Sequence, residues 1–145
     1  MKFKVEIPFV DLLGFELLRF EKGEAEIALA LRPELENSWG VAHGGVTMTL
    51  LDVAMAHAAR SPGADGVAET SGVVTIEMKT SFMRPGLGRL RAIGRRLHRT
   101  TSFAFCEASL LDAEGQLLAH ATGTFKFLKG LPAGGRRILR TEASD

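Results

Sequence analysis

The sequence predicts an α+β domain in which one antiparallel sheet curls around a single long central helix. Two observations lead to this fold class. One segment of helix length, Val46 to Arg60, is apolar on nearly every side, so it cannot lie on a surface and other structure must wrap it. The segments before and after it alternate apolar and polar residues and are joined by short turns, as antiparallel strands are.

The elements before the helix are short. Residues 1–14 form a partly apolar lead-in, in which we expect a helical turn around Val10 to Leu13. Phe15 to Glu21 and Glu24 to Leu31 follow as two strand candidates. The next segment, Arg32 to Gly45, is rich in Gly, Pro, Asn and Ser and is therefore expected to be a loop that leads into the helix.

Four strand candidates follow the helix: Gly72 to Phe82, Arg89 to Arg99, Ser102 to Leu111 and Gln116 to Leu128. In the first of them, Val74, Ile76 and Met78 alternate with more polar positions. Residues 129–145 are expected to form a loose tail, which places the folded domain at 15–128. A single sheet covers only one side of a helix, so we expect the remaining apolar surface to meet a second subunit.

Bulk properties exclude several classes of protein. At 145 residues the chain fits one domain, and a formal net charge of +1 gives no basic face for nucleic acid. The single cysteine, Cys106, permits no internal disulfide. No run of about 18 apolar residues occurs, so we expect no membrane span. We expect no signal peptide either, since Glu6, Pro8 and Asp11 break the first apolar stretch. We therefore expect a cytoplasmic protein with no membrane or nucleic-acid partner.

The entrance to the helix, His43-Gly44-Gly45, is the first feature that indicates chemistry. The first N–H groups of a helix have no internal partners and lie at the positive end of its dipole, where they can stabilise an oxyanion. Two glycines also let a ligand approach the backbone closely, which makes Gly45 a candidate for substrate contact. The alternative interpretation is a tight loop in which His43 is merely a polar cap.

Asp52 is the second such feature, because it is a lone carboxylate in an otherwise apolar helix. An unpaired buried carboxylate is costly, so Asp52 must either face water or line a polar cavity. Its neighbours Leu51 and Val53 leave little room for a wet face, which favours a functional role.

The pattern Asn-x5-His-Gly-Gly-x6-Asp, beginning at Asn37, and the order of elements resemble one enzyme family. It is the phenylacetate-degradation-type branch of the hotdog-fold acyl-CoA thioesterases, and the resemblance covers residues 15–128. It implies that Asp52 acts as nucleophile or general base towards the thioester, and that the Gly44 N–H belongs to the oxyanion hole. It also implies that Asn37 and His43 position the thioester and the attacking water.

The resemblance further implies a hydroxyl on the strand after the helix, which Thr75 supplies. No cofactor is implied, because coenzyme A is part of the substrate. No metal is expected either, since the remaining histidines show no ligand spacing. Six arginines, Arg84, Arg89, Arg91, Arg95, Arg96 and Arg99, are candidates for contact with coenzyme A phosphates, and no single one is preferred.

Geometry predicts that two subunits share each site. Gly44 and Asp52 are eight positions apart, or about 12 Å along a helix axis, yet both must come within about 3 Å of one carbonyl group. A homodimer is therefore expected, and the choice between this dimer and a tetramer built as a dimer of dimers is left open. The alternatives are a non-catalytic acyl-CoA-binding domain and a hotdog hydratase. The acyl group is left open, as is the choice between nucleophilic and general-base attack.

Overall fold

The computed structural model describes residues 1–63, 69 and 71–129. The elements in chain order are helix α1 (Pro8–Leu13), strands β1 (Glu16–Glu21) and β2 (Glu24–Ala30), a 3-10 turn (Pro33–Leu35), helix α2 (Gly44–Arg60), and strands β3 (Gly72–Phe82), β4 (Arg89–Arg99), β5 (Phe103–Leu111) and β6 (Leu117–Leu128). Every predicted strand and the long helix are present, with ends within two residues of those expected. Apart from Lys129, the expected tail lies outside the described residues.

All six strands form one sheet in the order β1-β2-β4-β5-β6-β3, and every neighbouring pair is antiparallel. The α+β hotdog architecture predicted from the sequence is therefore confirmed. Strand β3 follows the helix in the chain and pairs with β6. Within the described ranges no strand pairs with its other side, so β3 is an edge of the sheet.

Helix α2 lies in the curl of the sheet and contacts all six strands. Its inner side chains, including Leu50, Leu51 and Met55, are completely buried. The closest approach is at Gly94 of β4, where a Cβ atom would overlap the carbonyl of Ala54. A glycine in a strand interior permits this kind of close backbone contact, and Gly94 thereby sets how deeply the helix sits.

The opposite face of α2 remains open as far as the described residues are concerned. Gly45, Met48, Thr49, Asp52 and Ala56 follow one another at helical spacing and remain partly or fully exposed. We call these five residues the open stripe of α2. The sheet thus covers one side of the helix, as expected, and Asp52 lies on the other side.

The first residues of the chain pack against the core of the domain rather than forming only a lead-in to it. Val10 and Leu13 of α1 are buried in the core. Arg32 holds the end of this helix in place by donating hydrogen bonds to the carbonyls of Leu13 and Leu12, at 2.7 and 2.9 Å.

Among the described helices, none combines the length and the apolarity that crossing a membrane requires.

Two details differ from the sequence-based expectation. Helix α2 begins at Gly44 and not at Val46, so both glycines belong to its first turn. The alternation expected for β3 is wrong at Ile76, because the register with β6 shifts between Thr75 and Glu77 and leaves Ile76 52% exposed. Such a bulge re-aims the neighbouring side chains, and it lies next to Thr75.

Candidate functional site

His43 is the N-cap of helix α2. Its backbone is extended (φ −61°, ψ 139°), and its Nδ1 accepts a hydrogen bond of 2.8 Å from the Gly45 N–H. The cap interpretation of His43 is therefore correct as far as the fold is concerned. Because Nδ1 is the acceptor, the neutral ring carries its proton on Nε2, which can donate to a bound group. The N–H of Gly45, in contrast, is already used by the cap.

Gly44 differs from Gly45 in its backbone N–H. As the first residue of the helix it has no intrahelical acceptor, and no other described residue accepts a hydrogen bond from it. A Cβ atom on Gly44 would lie 3.6 Å from Cε1 of Phe82, an ordinary contact, so this chain leaves room for a side chain there. An unpaired N–H at the positive end of a helix is what an oxyanion requires.

Asn37 organises the loop before the helix. Its Oδ1 accepts hydrogen bonds from the N–H groups of Trp39 at 2.8 Å and Val41 at 3.4 Å, and its own N–H donates to the Val41 carbonyl at 2.8 Å. The carbonyl end of the amide is therefore occupied by the loop. The Nδ2 donors have no partner among the described residues, so they are available to a ligand.

A cavity of about 370 Å³ opens beside Asn37 and Gly44, both of which line it. Its floor is apolar and consists of Leu110, Leu118 and Ala119, which are at most 2% exposed. The donors at the start of α2 therefore border an open cavity with an apolar floor, an arrangement that is common in small-molecule sites.

Asp52 lies on the open stripe of α2 next to strand β3. Thr75 Oγ1 donates a hydrogen bond of 2.7 Å to Asp52 Oδ1. Burial raises the pKa of Asp52 above its usual range, and the hydrogen bond from Thr75 opposes that rise. A half-buried carboxylate with a raised pKa is a better proton acceptor than an ordinary aspartate. No described residue bonds to its second oxygen, which leaves Oδ2 open to a ligand.

The predicted site residues form two separate groups. Asp52 is in contact with Thr75, whereas Gly44 lies with Asn37 and His43 at the start of the helix. Because α2 is one continuous helix, about 12 Å along its axis separates Gly44 from Asp52. The cavity beside Gly44 does not include Asp52. Within one chain, the Asp52 carboxylate therefore does not lie beside the free N–H at the start of the helix.

The six candidate arginines are not equivalent. Four of them form ion pairs with glutamates: Arg89 with Glu16, Arg91 with Glu26, Arg95 with Glu107, and Arg99 with Glu69.

Arg96 donates to the carbonyls of Ala59 and Ser61 at the end of α2, at 3.0 and 3.1 Å. Arg84 donates only to the Leu117 carbonyl, at 3.1 Å. Within the described part of the chain neither arginine has a carboxylate partner, but Arg96 bonds to two carbonyls and Arg84 to one, so the charge of Arg84 is the least compensated of the six.

The other histidines and the cysteine lie outside both groups. Burial lowers the pKa of His57 to about 4, and its ring packs against those of Phe3 and Phe20. His120 approaches Glu107 at 3.5 Å. Cys106 is a core residue, and burial raises the pKa of its thiol to about 12. In the described ranges, no three His, Cys, Asp or Glu side chains are grouped as metal ligands.

The comparison with known protein families decides the identity of the chain. The profile of the thioesterase superfamily matches residues 40–119, which is more than half of the sequence. The chain belongs to the thioesterase superfamily. It is therefore a thioester hydrolase, as the sequence predicts. The matched span contains Gly44, Asp52 and Thr75 and ends on strand β6.

Individual relatives agree with this assignment. The medium/long-chain acyl-CoA thioesterase YigI of Escherichia coli is 30% identical over 135 residues, which cover 85% of this chain and 87% of that protein. A conserved protein of Pseudomonas aeruginosa has a similar structure, with 31% identity, a TM-score of 0.76, and coverage of 86% of this chain and 97% of that one.

A mutant form of the phenylacetic acid degradation protein PaaI of Thermus thermophilus is similar as well. It has 30% identity and a TM-score of 0.73, and the match covers 84% of this thioesterase and 100% of that chain. The resemblance to phenylacetate-degradation-type hotdog thioesterases that the sequence indicates is thereby confirmed.

Sequence reasoning does not find the apolar cavity or the isolated charge of Arg84. The cavity joins the entrance loop, the first turn of α2, the end of β3 and parts of β5 and β6, which are far apart in the chain. One local signal exists: Phe82 and Met83 are large apolar residues immediately before the turn Arg84-Pro85-Gly86. Their exposure at the end of a strand indicates a contact that the chain does not make by itself.

Proposed function

We propose that this thioesterase hydrolyses acyl-CoA to a free carboxylate and coenzyme A in the cytoplasm, without a metal, and that Asp52 is its nucleophile or general base. The observation that carries the proposal is the half-buried Asp52 carboxylate, held by Thr75 on the open stripe of α2. The acyl-CoA substrate is supported by the name of the relative YigI.

The start of α2 supplies the groups that receive the thioester. The Gly44 N–H donates to the carbonyl oxygen, whose negative charge grows as the carbon is attacked. The Nδ2 group of Asn37 and the Nε2–H of His43 are two further donors on the same side of the helix entrance. They orient the thioester or the attacking water, while their acceptor atoms remain engaged in holding the loop and the helix cap.

Two chemical routes use these groups. In the first, Asp52 removes a proton from water, whose oxygen attacks the thioester carbon, and the carbonyl electron pair moves to the oxygen held by Gly44. Collapse of this intermediate breaks the C–S bond, and the thiolate of coenzyme A takes up the proton. In the second, Asp52 itself attacks the thioester carbon, the C–S bond breaks with release of the coenzyme A thiolate, and water hydrolyses the resulting anhydride. After a single turnover in ¹⁸O-labelled water, label in Asp52 identifies the second route, because it enters only when water attacks the Asp52 carboxyl carbon of the anhydride.

The site is shared between two subunits in this proposal. Asp52 and Thr75 lie beside β3, whose outer side pairs with no described strand. An 11-residue strand with a free side is a template for pairing with another chain. Antiparallel pairing of β3 with β3 of a second copy would continue the sheet and place the two open stripes opposite each other. The Gly44 of one subunit then approaches Asp52 of the other, and dimers of this kind can pair into tetramers.

The test is release of free thiol from a panel of acyl-CoAs, followed with a DTNB-type reagent. We expect multiple turnovers by the purified chain without added metal, and loss of nearly all activity in Asp52→Asn, which keeps the shape of the side chain. Binding of acyl-CoA without turnover would instead indicate a non-catalytic binding domain. Hydration of an enoyl-CoA without thiol release would indicate a hydratase.

A further inference from the structure

We infer that Thr47 is a substrate-binding residue, whose hydroxyl bonds to the first amide of the pantetheine arm of the acyl-CoA in the cavity beside Gly44. This inference rests on the proposed function, to which it adds one residue and the orientation of the thioester. Three observations carry it: Thr47 is buried, it lines the cavity, and its hydroxyl has no partner among the described residues.

The hydroxyl of Thr47 differs from that of the nearby Thr49. A threonine inside a helix can return its hydroxyl to the carbonyl four residues earlier, and Thr49 does so, donating to the Gly45 carbonyl at 2.7 Å. The corresponding carbonyl for Thr47 is that of His43. It accepts the backbone N–H groups of Val46 and Thr47, at 2.9 and 3.1 Å, and not the hydroxyl. In the part of the chain that the structure describes, the Thr47 hydroxyl forms no hydrogen bond.

This hydroxyl is accessible from the cavity. Thr47 is only 5% exposed, yet its hydroxyl is not enclosed by protein as are those of Ser61 and Thr80, which also lack partners among the described residues. Because Thr47 lines the cavity beside Gly44, the accessible part of its side chain faces that cavity. A buried hydroxyl without a partner is unfavourable, and a polar group that enters the cavity would supply one.

The position of Thr47 on α2 decides which part of the thioester it meets. Thr47 lies three residues after Gly44, or about 4.5 Å further along the helix axis. A carbonyl oxygen held by the Gly44 N–H at the end of the helix is therefore out of its reach, and the hydroxyl meets a group a few bonds away. In the pantetheine arm, two methylenes separate the sulfur from the first amide, which brings an N–H and a C=O to this range.

An alkyl chain is the poorer occupant of the cavity, because it would leave the Thr47 hydroxyl without a partner. The methylenes of the pantetheine arm can contact Leu110 and Leu118 of the floor while its amide bonds to Thr47. Arg84 lines the same cavity, and its cation suits the phosphates of coenzyme A better than an alkyl chain. With the arm in the cavity, the acyl chain points away from it, towards the second subunit of the proposed dimer.

The experiment combines a change in the enzyme with a change in the substrate. Thr47→Val removes the hydroxyl and keeps the shape of the side chain, whereas Thr47→Ser keeps the hydroxyl. Thr122→Val is the matched control, because Thr122 is exposed on β6 and does not line the cavity. One acyl group, hexanoyl, is offered as the thioester of coenzyme A, of N-acetylcysteamine, which keeps the first amide, and of pentanethiol, which has the same length without the amide.

We would measure kcat and KM by thiol release for each combination of enzyme and thioester. Thr47→Val should lower kcat/KM about two- to tenfold for the coenzyme A and N-acetylcysteamine thioesters, the usual effect of one hydrogen bond. The loss should lie in KM, because this bond is present in the bound substrate and in the transition state alike. For the pentyl thioester kcat/KM should not change. Thr47→Ser and Thr122→Val should keep the wild-type preference for the amide.

The ratio of kcat/KM between the N-acetylcysteamine and pentyl thioesters decides the inference, and a smaller folded fraction of a variant does not alter this ratio. An unchanged ratio in Thr47→Val would overturn the inference. An equal loss for both thioesters would then place the effect on the thioester group or on folding, and no loss would mean that the hydroxyl takes no part in binding.

If the wild type hydrolyses only the coenzyme A thioester, the inhibition constants of the two shorter thioesters as its competitors give the same ratio. A wild type that releases no thiol from any of the three thioesters would overturn the proposed function itself, and this inference with it.

Discussion

The two halves of the proposed site differ in how completely one chain builds them. At the start of α2, Asn37 fixes the loop, His43 caps the helix, and the walls of the cavity belong to the core. At Asp52, one hydrogen bond from Thr75 on an edge strand is the only one that the carboxylate forms with a described residue. The half at the start of α2 is therefore organised by one chain, whereas the half at Asp52 is open.

This difference suggests a division of labour. Donors that stabilise an oxyanion must be held in place in advance, because reorienting them during the reaction would cost part of their effect. A carboxylate that removes a proton from water needs instead a raised pKa, and desolvation supplies it. Burial by a second subunit would desolvate Asp52 further than its own chain does. In the proposed dimer, assembly would therefore also activate the base.

The largest expected effect in the comparison is the loss of the carboxylate. Asp52→Asn should lower kcat by on the order of 10²–10⁴, the usual contribution of a general base. The Asp52→Asn variant should be no less stable towards unfolding than the wild type. The direction of this change in stability follows from the raised pKa of Asp52. Folding disfavours the charged form of such a group, so its contribution to stability is lost as pH rises through the folded pKa. The asparagine has no charge to disfavour.

Steady-state kinetics and thermal unfolding at pH 8 check both parts. A folded Asp52→Asn enzyme within threefold of the wild-type kcat would remove Asp52 from the mechanism. A lower melting temperature at this pH would contradict the direction of its pKa shift.

Mixing two inactive variants tests whether the halves come from different subunits. Gly44→Val, which blocks the oxyanion donor, and Asp52→Ala should each be inactive alone. After unfolding and refolding together, about half of the dimers are mixed, and each has one intact site of two, so roughly a quarter of wild-type activity should return. Native mass spectrometry would count the mixed dimers. If they form and activity stays absent, each site is contained in one chain.

Loss of the hydrogen bond between Thr75 on the edge strand and Asp52 on the open stripe should have a smaller effect on kcat. Thr75→Ala removes one hydrogen bond, worth about 0.5–1.5 kcal/mol, so kcat should fall about two- to tenfold. Because the Thr75 hydroxyl lowers the pKa of Asp52, its loss should also move the acidic limb of the kcat/KM profile to higher pH. Thr75→Ser should keep both the rate and the limb. An equal defect in the two variants would mean that packing, not the hydroxyl, explains the residue.

The sequence predicts the open half of the site better than the organised half. Asp52 stands out because an unpaired carboxylate in an apolar helix is costly. Thr75 lies on a strand that the alternation of apolar and polar residues predicts. The shape of the helix entrance is not readable in this way. The N–H of Gly45, and not that of Gly44, donates to the cap residue His43. The spacing of residues in the sequence does not reveal which of the two glycines forms this single hydrogen bond.

Packing between distant segments also limits how much of the fold can be predicted from the sequence. The alternation of apolar residues predicts the six strands, and an apolar segment of helix length predicts the buried helix. It fails at Ile76, where a bulge adds a residue to one strand without any mark in the sequence. The contact of Gly94 with Ala54 and the cavity beside Gly44 also join distant segments, so they become visible only in three dimensions.

The smallest expected effect concerns Arg84, at the edge of the organised half, where it lines the same cavity as Gly44. Coenzyme A carries several negative charges, and Arg84 is the candidate arginine with the least compensated charge. Exposed charge pairs contribute about 0.2–1 kcal/mol, so Arg84→Gln should raise KM about one-and-a-half- to fivefold with kcat unchanged. Because salt screens exposed charges, the difference in KM from the wild type should shrink between 20 mM and 500 mM NaCl.

Arg89→Gln is the matched control, since the Arg89 guanidinium already pairs with Glu16 at 3.4 Å. An equal rise of KM in both variants would indicate general electrostatic attraction of coenzyme A, with no particular role for Arg84.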